Sequence, residues 1–397
     1  MPIEKQKTIT QTSFDGLYIG LMSGTSIDGV DVALVEIGQS RCHLVAHLLH
    51  PFSTQLKKDI VRLCKPANQT QIEADFHHRI NLLAETDHKI GLLFAEAVKK
   101  LLENNNIKSE DIIAIGSHGQ TVRHIPTGEM PFSLQIGDPN LIASLTQITT
   151  VADFRRMDMA YGGQGAPLAP AFHHAVMHSD NENRIILNLG GIANITWLPS
   201  DNNKDVVGFD TGPANTLLDA YYHAISSDDF DKNGAFARSG NVNQQLLTLM
   251  LADPYFQLSP PKSTGREYFS IDWLNDKIDK FRHNSNQQTA LSEQDIQATL
   301  VELTAQSVIE GIKQLNISNY QIYACGGGRM NQYLMERISA LAETSVKTTD
   351  DLGIDGDFLE AMIFAWLAYR RLNNLSGNLP NVTGAKQSAV LGAVYQV

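Results

Sequence analysis

The sequence predicts an α/β protein made of two related halves that face one nucleotide cleft. Three observations carry this. A β-branched run that breaks at a glycine turn and then resumes occurs twice, over residues 17–37 and 185–197. Each copy leads on to a helical stretch, a short strand and a second glycine turn. Strand-like runs alternate with helical patterns along the whole chain, as in layered proteins with a largely buried mixed sheet. A long-period internal repeat fixes architecture before any local pattern does.

In the first copy, residues 17–22 and 30–37 read as the arms of a hairpin with its tip at 23–29. An ordinary tight turn explains Gly24 and Gly29 but not the hydroxyls of Ser23, Thr25 and Ser26. Amides at such a tip approach phosphate closely because no Cβ stands in the way. The tip lacks the lysine of a Walker A loop, and Asp28 stands where a nucleophile elbow needs its last glycine, so a serine hydrolase is disfavoured. A helix over 90–104 and a strand over 111–115 follow. Gly116-Ser117-His118-Gly119-Gln120-Thr121 then reads as a loop that carries His118 into the cleft. Residues 149–153 form the last strand of this half, and the Gly/Pro-dense stretch 161–170 crosses to the next, which gives lobes at 1–153 and 154–397.

The second hairpin comprises 185–189, the tip Gly190-Gly191, and 192–197, with Asn194 just past the tip. Residues 206–209 read as a strand, with Asp210-Thr211-Gly212-Pro213 between it and a helix over 216–225. An acid at the C-terminal end of a sheet strand sits where ligands bind. Asp210 suits a general base or a Mg²⁺ ligand, and equally a helix cap or turn. A helix over 298–315, a strand over 320–324 and the turn Cys325-Gly326-Gly327-Gly328 complete the repeat. Asn331 replaces the third glycine of a dinucleotide fingerprint, so the turn reads as a surface on which an adenosine lies flat. Residues 358–372 carry apolar side chains at helical spacing, with Glu360 near the start.

The chain of 397 residues is 43% hydrophobic, enough for two cores, and its net charge of −12 argues against a nucleic-acid surface. Cys42, Cys64 and Cys325 share no metal spacing and fit a reducing cytoplasm. Residues 1–12 lack a signal-peptide core, and the apolar run 361–369 is too short to span a bilayer, so no membrane partner is expected. His174 and His178 have i, i+4 spacing without the glutamate of a zinc motif.

The runs GLMSGTSIDGVD (20–31), IGSHGQTVRH (115–124), QIGDPNLIA (135–143), VADFRRMDMAYGGQGAPLAP (151–170), NLGGIANIT (188–196), GFDTGPANTLLDA (208–220) and CGGGRMN (325–331) resemble the bacterial anhydro-N-acetylmuramic acid kinases. The resemblance implies two actin-like, ribonuclease H-like lobes around a nucleotide cleft. It implies that Gly24, Thr25, Ser26, Ile27, Asp28, Gly29, Val30 and Asp31 meet ATP phosphates. Gly190, Gly191, Asn194, Gly326, Gly327 and Gly328 complete the nucleotide site. Asp210 becomes the general base, and Thr121, Arg156 and Glu360 hold the sugar, with His118 beside them. Met22 stands where many members of the wider superfamily carry a Mg²⁺-supporting Asp, which leaves Asp28 or Asp210 for that role. The implied activity is ATP-dependent, hydrolytic opening and 6-phosphorylation of 1,6-anhydro-N-acetylmuramic acid in cytoplasmic cell-wall recycling, by a homodimer. A kinase for another anhydro-sugar, or a non-kinase nucleotide-binding protein of this fold, is the alternative. A plain glycoside hydrolase would pair carboxylates without nucleotide loops.

Overall fold

The computed structural model describes residues 14–24, 26–39, 41–64, 69–284 and 291–397. Thr25 and the N-terminal stretch 1–12 therefore lie outside the described residues. The first sheet takes β1 (Gly16–Ser23), β2 (Gly29–Gly38), β3 (Arg41–Pro51), β4 (Ile112–Ile125), β5 (Phe132–Ile136) and β6 (Thr150–Ala152). The second takes β7 (Asn183–Leu189), β8 (Ile192–Leu198), β9 (Val207–Pro213), β10 (Tyr320–Cys325) and β11 (Val346–Thr348). A final strand, β12 (Ala393–Tyr395), returns to pair with β6 at the edge of the first sheet.

The two sheets share one plan. Their orders are β3-β2-β1-β4-β6 and β9-β8-β7-β10-β11. In each, the first three strands form an antiparallel meander and the last two run parallel to the first. The repeat read from the sequence is thus present in the topology.

Burial explains the sequence of these strands. Tyr18 of β1 faces one core and Ile19 and Leu21 face another, so β1 is apolar on both sides. Helix Gln69–Asn104 covers one face through Phe94, Val98 and Leu101. Helix Leu359–Leu372 covers the other, and it packs against Tyr18 and Val35 of the first sheet and Ile186 and Tyr323 of the second. Only Glu360 and the last turn of this helix escape burial. Its close approach requires Gly20 and Gly116, which are register partners in β1 and β4. A Cβ on either would strike the helix backbone at Ala361 or Phe364.

Two expectations are corrected. Residues 116–121 form no loop; they lie within the fourteen-residue β4, because pairing to β1 continues through Gly20↔Gly116 and Leu21↔Ser117 to Ser23↔Gln120 across a bulge. Asp210 does not follow its strand; it sits within β9, since β8 keeps pairing as far as Pro213. Its amide and carbonyl are met by the Lys262 carbonyl and the Tyr255 hydroxyl, and the helix that follows is capped at Ala214, so Asp210 is not a helix cap.

Candidate active site

Asp210 stands in the wall shared by two cavities, of about 220 and about 380 Å³. The first is lined by Met22, Arg155, Asn188, Asn194 and Glu360, and thus by both sheets and the helix between them. The second is lined by His124, Lys262, Thr264 and Glu267. The carboxylate of Asp210 accepts from the Thr264 amide at 3.0 Å through Oδ2. Among the described residues, Oδ1 carries no hydrogen bond. The Asp210 amide donates to the Lys262 carbonyl at 3.1 Å, and Tyr255 Oη donates to the Asp210 carbonyl at 2.7 Å. Burial raises the Asp210 carboxyl to about 6, against the opposing pull of the Thr264 amide. A group poised there, with one free oxygen, can take a proton near neutral pH.

Glu360 projects into the same cleft, reached by solvent but walled by protein. That desolvation raises its carboxyl, opposed by Arg155 and by a hydrogen bond from Asn188. Arg155 is fixed by its own contacts. Its guanidinium donates to His118 Nε2 at 2.9 Å and to the Gly165 carbonyl at 2.8 Å. The buried His118 meets the Gly119 carbonyl at 3.0 Å through Nδ1 and leans on the Phe364 ring at 4.6 Å. Burial and then the Arg155 charge hold it well below the usual histidine range, so it is neutral, with its proton on Nδ1.

The sequence pointed to Arg156, but the structure sets Arg155 in the cavity with Asp210 and Glu360. Arg156 is exposed, pairs with Asp153 at 2.7 Å, and lines a smaller pocket shared with His118 and Gln135. Thr121 stands on β4, where its hydroxyl accepts from Gln135 Nε2 at 3.0 Å. Asn188 also lines the cavity with Asp210 and Glu360, and its sequence signal is a lone amide inside the apolar run Ile185-Ile186-Leu187-Asn188-Leu189. It is the register partner of Asn194.

The first hairpin tip divides by role. Ser23 is buried, with its hydroxyl 2.9 Å from the Gly29 carbonyl and 2.7 Å from Gln120 Oε1, so it braces the turn. Gly24 is open: a Cβ there meets nothing within 4 Å. Ser26 is exposed, and Ile27 takes the left-handed region at φ 59°. Val30 is a core residue, and Gly29 lies tight against the backbone of His50 and Pro51. Asp28 faces Lys57 at 3.5 Å. Asp31 is raised to about 6 by burial and by the charges of Glu360, Asp357 and Asp28.

The other glycine turn borders a cavity of about 440 Å³, lined by Gly327, Gly328, Asn215, Asp219, Phe230 and Met330. Its volume is in the range of small-molecule and cofactor sites. Gly326, at φ 77°, leaves no room for a Cβ beside Asn188 and Leu189. At the second tip, Gly191 lies close to Thr216, while Gly190 has nothing nearer than 3.6 Å. Among the described residues no group of three His, Cys, Asp or Glu is placed to hold a metal ion.

Comparison with known proteins gives this geometry a context. Residues 16–397 match the family described as anhydro-N-acetylmuramic acid kinase. A Coxiella burnetii protein of that name is 50% identical over 379 residues, 95% of this chain and 97% of its own. One from Pasteurella multocida is 48% identical over 380 residues, 95% and 96% of the two chains. Among solved structures, a Clostridium difficile activator of 2-hydroxyisocaproyl-CoA dehydratase with bound ADPNP aligns at a TM-score of 0.44 and 13% identity, covering 90% of this chain and 96% of that one. A match over nearly the whole chain, with relatives at about half identity, makes this protein a member of the anhydro-N-acetylmuramic acid kinase family.

Proposed function

We propose that the chain uses ATP to open 1,6-anhydro-N-acetylmuramic acid by hydrolysis and to phosphorylate its 6-oxygen. The products are N-acetylmuramic acid 6-phosphate and ADP. The observation that carries this reading is Asp210, with one oxygen tied to Thr264, the other free, and its carboxyl near 6 between two cavities. Asp210 takes a proton from water as the water oxygen bonds to the anomeric carbon. The bond from that carbon to the 6-oxygen breaks, and the freed oxygen attacks the γ-phosphorus while ADP leaves. Base catalysis contributes roughly 10²–10⁴-fold, and positioning with charge stabilisation supplies the rest.

Glu360, His118, Thr121 and Arg156, with Arg155 and Asn188 added by the geometry, hold the sugar in this reading. Gly24, Ser26, Asp28 and Asp31, with Gly190, Gly191 and Asn194, face the phosphates on the same reading, while Val30 and Gly29 pack beneath the tip and support it. Gly327 and Gly328 border the nucleoside cavity, and Gly326 sets the turn that presents them. A Mg²⁺ ion would be carried mainly by phosphate oxygens and water, as the lack of a protein cage among the described residues suits. Asp31, whose carboxyl is raised by burial and then by Glu360, Asp357 and Asp28, would help to hold it, while Asp28 is turned to Lys57. The ion supplies neutralisation of phosphate charge. We place the reaction in the cytoplasm, which the three free thiols suit, and in a homodimer with lobes dividing near Asp153. No helix among the described residues is long and apolar enough to cross a membrane.

The test is ADP release from ATP with and without the anhydro-sugar, followed by product analysis. Phosphate on the 6-oxygen with an opened ring supports the reading. A phosphorylated sugar with its bridge intact removes the hydrolytic step, and ADP release indifferent to the sugar removes the function.

A further inference from the structure

The substrate of the proposed reaction carries one carboxylate, on its lactyl ether, and the site must receive that charge without drawing it onto Asp210 or Glu360. We infer that Lys262 receives it. The inference rests on the proposed function and adds the residue that selects a muramic acid over a neutral anhydro-sugar.

Lys262 is the one lysine or arginine that lines the cavity of about 380 Å³ beside Asp210. His124 also lines it but is neutral, since burial and then Arg155 lower it to about 4. Among the described residues no carboxylate lies within ion-pair distance of Lys262 Nζ. Glu267, on the same wall, folds back over Gly265 instead. The ammonium is held over two rings, 5.1 Å from the Tyr255 centroid and 6.0 Å from that of Phe209. Such contacts orient a cation without neutralising it. Arg155, the cation of the adjoining cavity, has its hydrogen bonds taken by His118 and the Gly165 carbonyl and its charge faced by Glu360 and Asp158. An anion that enters beside Asp210 therefore has one free counter-charge to meet.

The backbone fixes the distance between recognition and chemistry. The Lys262 carbonyl accepts from the Asp210 amide, and two residues on, the Thr264 amide donates to the Asp210 carboxylate. Tyr255, which supports the ammonium, also donates to the Asp210 carbonyl. Seating a carboxylate on Lys262 thus registers the sugar against the base. Lys262 is half-buried, and burial lowers its amine from the usual lysine range. A partly desolvated ammonium without a counter-ion gains from an incoming carboxylate, and a site built around a charged partner rejects an analogue lacking it.

The experiment compares anhydro-N-acetylmuramic acid with its lactyl amide as substrates at saturating MgATP, using wild type, Lys262→Met and Lys262→Arg. Wild type should prefer the acid by about 10–100-fold in kcat/KM, the size of one charge-assisted hydrogen bond. Lys262→Met should raise KM for the acid by about the same factor, leave the amide and the KM for ATP unchanged, and hold kcat within a few fold. Lys262→Arg should restore part of the preference. Equal turnover of acid and amide by wild type overturns the assignment while leaving the kinase reading intact. So does a Lys262→Met variant that loses both substrates equally, or one with a raised KM for ATP, which would put the ammonium on a phosphate or on loop packing. Wild type that turns over neither sugar overturns the proposed function, and the assignment with it.

Discussion

Replacing Asp210 by Asn separates catalysis from structure at this position, because only one of the two tasks of the carboxylate depends on charge. The Thr264 amide donates to Oδ2 at 3.0 Å, and an amide carbonyl in the same place accepts that bond. The loop tether and the β8–β9 pairing therefore survive. What is lost is the proton acceptor, worth roughly 10²–10⁴-fold in kcat, or about 2.7–5.5 kcal/mol at 1.36 kcal/mol per tenfold. The fold should not suffer. Burial raises this carboxyl from 3.8 to about 6, so its stability contribution is present below the unfolded value and is lost as pH rises through about 6. At pH 7 the ionised group is a net cost of at most ~3 kcal/mol for a shift of about two units, and Asn removes it. The expected result is a melting temperature equal to or above wild type, unchanged binding of both substrates, and kcat reduced by at least about a hundredfold. Steady-state ADP release, calorimetric binding and thermal melts measure the three. A kcat near wild type removes Asp210 from the proton transfer. A lowered melting temperature would show that the tether, not the base, is what the position serves.

The same carboxyl sets a pH limb: kcat/KM of wild type should fall tenfold per unit below about pH 6, and the limb should vanish from the residual rate of Asp210→Asn. Gly24→Val should fold normally, since a Cβ there meets nothing within 4 Å, yet weaken ATP binding about tenfold or more, as titration calorimetry would show. Gly116→Ala should cost about 1–3 kcal/mol or more in denaturant unfolding, because the new methyl strikes the Phe364 carbonyl and the helix bearing Glu360 must move. Arg155→Met should cost about 1–3 kcal/mol, since it strips the Gly165 carbonyl of its donor, and should raise KM for the sugar; unaltered stability would show that water replaces the guanidinium.

The sequence alone determined what is local or periodic. Alternating β-branched runs around Gly24 and Gly190 specify hairpins, because strand pairing across a short tip is a near-neighbour matter. Repeated in order, they specify two sheets of one topology. The apolar positions from Leu359 to Tyr369 specify a buried helix. Asp210 and Glu360 were legible as acids out of place beside apolar elements, and both line one cavity. What the chain could not announce is which of two adjacent residues turns inward. Arg155 and Arg156 differ by one step of a helix start, and the choice falls to Arg155 because His118 and the Gly165 carbonyl, from distant segments, accept its bonds. The extent of β4 through His118 likewise depends on pairing with β1, about a hundred residues away in sequence. Lys262 lies in a Pro- and Gly-rich connection without periodicity, and only its backbone bonds to Asp210 bring it to the cleft. Such contacts form only once the entropy of long loops has been overcome by the packed core, so no window of sequence contains them.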